Sequence, residues 1–313
     1  MDFKKGSEPL PFFCNQKFLK SLSNKYYPMI SASYFAALWT ASIVGILTSG
    51  NSVSDLKSAI RSQKITCQVS TTGKFNGNSV LLEMSNKSSG NLIIVVTPGT
   101  LFYPKDSGEQ TLIVVEDQIV ELSPGEKKKQ VINAYCSELH DRCPSGGVGA
   151  SIGKSSDSKF DSLFVFIKGK KFDNSIFQNV VWAISDGNDI SAISADSKDK
   201  KELRKFLSAL TGQEEVDYTS DYILTIDSLG YIRRTLHQVK GELEISSAKS
   251  RFLYQYVYDE NGKMKYKSQL AFQVPEGKSD YRFNIIVKNW SKGNYSMKLK
   301  DGKDEIATYE FKV

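Results

Sequence analysis

Few side chains in this chain are equipped for chemistry, and the best equipped of them sit close together. Its 313 residues include four cysteines and two histidines. Cys136, His140 and Cys143 fall in one short stretch, with SELHDR (137–142) between the two cysteines. A thiol beside an imidazole suggests a Cys–His nucleophile and base, but such pairs are assembled across a fold and not by adjacency in a short loop. Structural zinc needs four ligands, commonly in close pairs, and no second pair stands nearby, so no metal is expected. In an oxidising compartment Cys136 and Cys143 are near enough in sequence to close a short disulfide, leaving Cys67 as a buried or free thiol and Cys14 far upstream. Asp and Glu are numerous and a glycosidase needs only two, yet no spacing selects a pair. An undetected hydrolase stays open, and no motif specifies a reaction or a cofactor.

Two other stretches imitate chemical motifs. PSGGVGASIGKSSDS (144–158) looks like a phosphate-binding loop, but five residues lie between Gly147 and Gly153 and only three between Gly149 and Gly153, where that loop requires four. The composition reads instead as a flexible linker. Ser151 and Lys154 match the S-x-x-K spacing of serine acylases without that family's helix start or its further motifs. Asp186 and Asp189, in SDGND, lack the regular oxygen ligands of a calcium loop and read as a turn.

One constellation is more specific. AYC (134–136) followed by FQNVVW (177–182) resembles the cysteine and glutamine blocks of bacterial thioester-domain adhesins. In that family a Cys after an aromatic residue is joined to a Gln that leads an apolar, Trp-containing helix, and the internal thioester acylates a host amine. The resemblance implies Cys136 as the thioester sulfur, Gln178 as the acyl partner and Trp182 as a packing residue. Phe177 stands where the family usually has a hydroxyl residue, Val180 where it has a small one, and the separation of the two blocks is shorter. The ordinary expectation for the same residues is a buried or disulfide-bonded Cys and a solvent-facing helix Gln.

The elements that must position these groups are set by periodicity. Residues 1–28 form a tail carrying Pro9, Pro11 and Pro28. Residues 29–47 (MISASYFAALWTASIVGIL) are an uncharged run long enough to cross a bilayer's hydrocarbon core, preceded by Lys17, Lys20 and Lys25. With its small-residue exit the segment 29–50 reads as an export signal or membrane anchor, placing the downstream residues outside the cell. Polar residues 51–63 read as a stalk. From 64 to 143, alternation at Ile65, Cys67 and Val69 and at Val80, Leu82 and Met84, with short apolar blocks between turn signals, predicts a β-sandwich of immunoglobulin-like type. This stretch resembles accessory sandwich domains of bacterial surface proteins. Residues 159–212 carry three amphipathic helices, the last closed by Gly212. After the polar segment 213–217, residues 218–313 alternate with period two and turn at Asn261-Gly262, predicting a second sandwich. The expected fold is mainly β, with two immunoglobulin-like sandwich modules flanking a three-helix segment and a hydrophobic N-terminal helix.

Tyr254, Tyr256 and Tyr258 would share one face of a strand in the second sandwich, a candidate aromatic surface for a sugar or peptide, though such tyrosines also serve as ordinary cross-strand packing. The formal charge of +6 is concentrated after Tyr231. Glu242, Glu244, Asp259 and Glu260 interleave with those bases and the stacking motifs of RNA-binding sheets are missing, which argues against nucleic acid. The expected function is non-catalytic binding, adhesion or envelope structure outside the cytoplasm. Its partner would be a protein, an envelope polymer or a larger envelope complex, and residues 29–47 would contact the membrane. The thioester adhesin is the alternative.

Overall fold

The computed structural model describes residues 51–313; the tail, Cys14 and the apolar run at 29–47 lie outside the described residues. Among the described residues no helix is long and apolar enough to cross a membrane. The fold is mainly β with a helical insert.

Alternating apolar residues build the first module as two facing sheets. In the larger, β2 (Ile65–Thr72), β3 (Asn78–Asn86) and β8 (Lys127–Asn133) run antiparallel. Beyond β2 come β10 (Gly146–Lys154), β5 (Thr100–Pro104), β6 (Leu112–Ile113) and β9 (Tyr135–Cys136), giving the order β8-β3-β2-β10-β5-β6-β9. The smaller sheet places β4 (Leu92–Val96) between β1 (Ser52–Asp55) and β7 (Gln118–Leu122), with β1 parallel to β4. Leu82, Met84, Phe102 and Ile132 from one sheet and Leu92, Ile94, Val120 and Leu122 from the other form a common core.

Two expected boundaries move. The stalk at 51–63 is instead part of this module: β1 pairs with β4, and α1 (Leu56–Arg61) buries Leu56 and Ala59 in the core behind an Asp55 N-cap. The expected linker at 144–158 is largely β10, an interior strand between β2 and β5. Its glycines lie close under neighbouring side chains. A Cβ on Gly153 would lie 2.4 Å from the Tyr103 ring, and one on Gly149 3.0 Å from the Lys105 side chain. These additions give the module more strands than the seven of an immunoglobulin domain.

The helical segment holds α2 (Ser158–Ile167), α3 (Asn174–Ser185) and α4 (Lys198–Thr211). Gly212, at φ 76°, supplies the left-handed residue that ends α4. Unlike the amphipathic helix the sequence suggests, α3 is buried nearly all round, from Ile176 through Ile184 apart from Asn179. It is a core element, packed with Ile113, Val115 and Tyr135 at the β6 and β9 end of the large sheet. Arg204 of α4 is 2% exposed and donates from Nη2 to the carbonyls of Val216 and Tyr218, tying that helix to the start of the next module.

The C-terminal module again faces two sheets. One orders β11 (Thr219–Ile226), β12 (Ile232–Ser247) and β16 (Gly277–Ile286). The other orders β14 (Met264–Lys267), β13 (Arg251–Asp259), β17 (Asn294–Asp301) and β18 (Asp304–Lys312), with β15 (Phe272–Val274) also on β13. Val239, Phe283 and Ile285 meet Val257, Met297 and Phe311 between them. Gly262, at φ 74°, takes the hairpin turn the sequence marks at Asn261-Gly262.

Candidate functional site

Cys136 is the second residue of the two-residue strand β9, paired on one edge with β6 through Leu112. No named strand pairs its other edge, where the 75–77 segment accepts from the Ala134 and Cys136 N–H groups and the Gln178 carboxamide joins it. The Cys136 N–H donates to Gln178 Oε1 at 3.1 Å, and Gln178 Nε2 donates to the Cys136 carbonyl at 2.8 Å. The same N–H is shared with the Phe75 carbonyl at 2.9 Å. Cys136 is 0% and Gln178 2% exposed, so the expectation of a solvent-facing glutamine is corrected. A buried carboxamide needs peptide-like partners, and an edge strand supplies both.

The surroundings are aromatic. The Phe75 and Trp182 rings stack 6.2 Å apart at 12°, and Tyr135 meets Phe177 edge-on at 5.7 Å. Trp182 lies one helical turn beyond Gln178, fully buried, and packs in a small cluster with Cys143 and Ile232. The sequence signals Trp182 but not Phe75, which comes from a turn between β2 and β3 with no chemical motif.

Burial pushes the Cys136 thiol well above its ordinary range, and neighbouring Cys143 and Glu138 push the same way. Burial likewise raises Cys143 to about 11 and Cys67 to about 11. All three described cysteines are free thiols in this structure, so the expected Cys136–Cys143 bridge is not formed here. His140 is exposed while Cys136 is buried, and no hydrogen bond joins them. Among the described residues no group of three or more His, Cys, Asp or Glu converges as a metal site would require. Ser151 and Lys154 both lie on β10, with the lysine bound to the Pro98 carbonyl. Asp186 accepts from the Leu139 N–H at 3.1 Å and Asp189 caps a short 3-10 turn, so both serve local structure.

Tyr254, Tyr256 and Tyr258 share one half-buried face of β13, as the period predicts. Lys267 of β14 and Lys300 of β17 reach between them. The Lys267 ammonium lies 5.2 Å from the Tyr254 ring centre and 5.3 Å from that of Tyr256, and the Lys300 ammonium 5.6 Å from Tyr256 and 5.1 Å from Tyr258. This face therefore presents ammonium groups alternating with phenols, not bare aromatic surface. The lysines escape sequence reading because only cross-strand register brings them here.

No protein-family model and no curated protein matches the chain. Among solved structures, a β-glucosidase from Kluyveromyces marxianus aligns at 12% identity and TM-score 0.20, over 75% of this chain and 44% of the enzyme. Red sea bream transglutaminase aligns at 6% identity and TM-score 0.18, over 82% of this chain and 32% of that one. The CBM51-2 and INT domains from Clostridium perfringens ZmpB, in complex with GlcNAc, align at 11% identity and TM-score 0.16, over 80% and 79%. The chain thus spans less than half of the β-glucosidase it matches. At these TM-scores the likenesses carry no argument about function.

Proposed function

We propose that the chain is an extracytoplasmic surface-binding protein that attaches covalently through an internal thioester between Cys136 and Gln178. The observation that supports this reading is the seating of the Gln178 carboxamide on Cys136, with both residues buried. The sequence resemblance singles out the same two residues, which lie in different elements of the fold. Export rests on the apolar run at 29–47 and its basic flank. Both modules belong, in this reading, to the accessory sandwich style of surface proteins.

The chemistry balances without a cofactor. The Cys136 sulfur turns onto the Gln178 Cδ, the C–S bond forms, the C–N bond breaks, and the amide nitrogen leaves as ammonia with the thiol proton. The Cys136 N–H already donates to the oxygen that carries developing negative charge, as an oxyanion-hole donor does. The neutral, desolvated thiol makes this a slow maturation step rather than a turnover reaction. Burial then shields the ester from water. An incoming primary amine attacks the acyl carbon, the C–S bond breaks, a stable amide forms on residue 178, and the thiol returns.

Incubation with methylamine tests the reading. Peptide mapping should find methylamine on residue 178 and one additional thiol, with neither change in Cys136→Ala. An unmodified Gln178 after incubation of the folded wild-type protein contradicts it.

A further inference from the structure

The alternating lysines and tyrosines of the C-terminal module stand apart from the Cys136–Gln178 pair and have a chemistry of their own. Tyr256 and Tyr258 stand with ring centres 6.3 Å apart, nearly parallel at 15°. Successive outward residues on a strand repeat at about that distance, so the row is an array with a fixed step. Neither ammonium between the rings makes a close ion pair with a carboxylate among the described residues; Lys300 lies in register with Glu305 and feels its charge, but Glu305 makes its close pair, at 2.9 Å, with Lys298. Lys300 also reaches the Tyr258 hydroxyl at 3.5 Å. Ring quadrupoles hold the cations in place while leaving their N–H donors for a ligand.

At the Tyr258 end the row runs into a cleft of about 500 Å³ lined by Tyr258, Asp259, Glu260, Asn294, Lys300 and Glu310. The Glu260 and Glu310 carboxylates make no side-chain hydrogen bond or close ion pair among the described residues, though Glu310 lies near enough to Lys298 to act on its charge. Carboxylates in that position accept hydroxyl donors and disfavour a chain as densely charged and as poor in hydroxyls as polyphosphate. The combination of spaced cations, phenols and hydroxyl-accepting carboxylates complements a ligand rich in hydroxyls that also bears carboxylates.

We propose that the outward face of β13 and β17, with the cleft at its Tyr258 end, binds an acidic polysaccharide. Its carboxylates meet Lys267 and Lys300, and its ring hydroxyls meet the tyrosine phenols and Glu260 and Glu310. The site is independent of the thioester and serves reversible capture.

Affinity electrophoresis of the folded protein through gels containing polygalacturonate, its methyl ester or polyphosphate tests this. Polygalacturonate should retard the protein and the methyl ester should not. The double variant Lys267→Gln/Lys300→Gln should bind about tenfold more weakly or worse, the loss expected when charge-assisted hydrogen bonds go. A charge-matched control, Lys127→Gln/Lys129→Gln on the other module, should keep its retardation, and both variants should keep the wild-type thermal midpoint. Absence of retardation, an equal loss in the control, or stronger retardation by polyphosphate than by polygalacturonate would overturn the proposal.

Discussion

Cys136 and Tyr256 both sit on β-strands, the first fully buried and the second half-buried. Around Cys136 the polar partners are buried or half-buried: a two-residue strand, a carboxamide from α3 and the Phe75 carbonyl. Around Tyr256 the partners are two lysines held by cation–π contacts on an open face. Water competes for the second set more than for the first. Losing one partner in the buried site strands a backbone group, whereas losing one on the open face is largely made good by solvent. One region is therefore suited to storing a reactive group, and the other to meeting a ligand reversibly.

Substitutions can break this contrast, and the largest effect should come at Gln178. In the Cys136→Ala background, where residue 178 stays an amide, Gln178→Ala should cost about 3 kcal/mol in urea unfolding, from an unsatisfied residue-136 carbonyl and a cavity beside α3. Tyr256→Ala should cost under about 1 kcal/mol. Similar costs at the two positions would remove the distinction.

Two glycines sharpen it. Added Cβ atoms at Gly153 and Gly241 would each come within 2.4 Å of a neighbouring ring, Tyr103 and Phe283 respectively. Phe283 is 4% exposed and has nowhere to go, while Tyr103 is 40% exposed and can swing out. Gly241→Ala should therefore lose about 2 kcal/mol and Gly153→Ala less than about 1 kcal/mol in thermal unfolding.

Alkaline pH should weaken both modules. The folded-state pKa values of Cys67 and Cys143 are raised from 9.0 to about 11, and those of Tyr281 and Tyr309 from 10.0 to about 12, all chiefly by burial. Groups raised on folding contribute stability that is present below their unfolded pKa and lost as pH rises through the folded one. Urea midpoints should hold up to about pH 9 and then decline steadily towards pH 11. A flat profile over that window would show the thiols and phenols to be solvated. The smallest effect belongs to the exposed pair Lys129–Glu83 at 2.7 Å, where Lys129→Ala should change stability by no more than about 0.5 kcal/mol.

The strands that alternate are legible in the sequence because a half-buried sheet face imposes period two. So are the helix end at Gly212 and the turn at Gly262, where a left-handed residue is required. β10 is not, because Gly and Ser that admit Tyr103 and Lys105 in a sheet have the same composition as a linker. β1 and α1 read as a stalk because their two buried residues, Leu56 and Ala59, are too few to mark a core element. Gln178 stands out by motif, but its burial is hidden: polarity argues for solvent unless a backbone edge 42 residues away in sequence awaits it. The tyrosine row is visible and its lysines are not, since cross-strand register is a property of the fold.

The most direct test of the internal thioester is the intact mass of the folded protein, purified without reductant or added amine. The expected mass is lower by one ammonia than that of the chain counted from its mapped N-terminus, with the deficit mapping to a Cys136–Gln178 crosslink and disappearing in Cys136→Ala. The full mass of that chain, with Gln178 an ordinary amide and Cys136 a free thiol, would contradict the thioester and leave the carboxamide as the structural completion of β9.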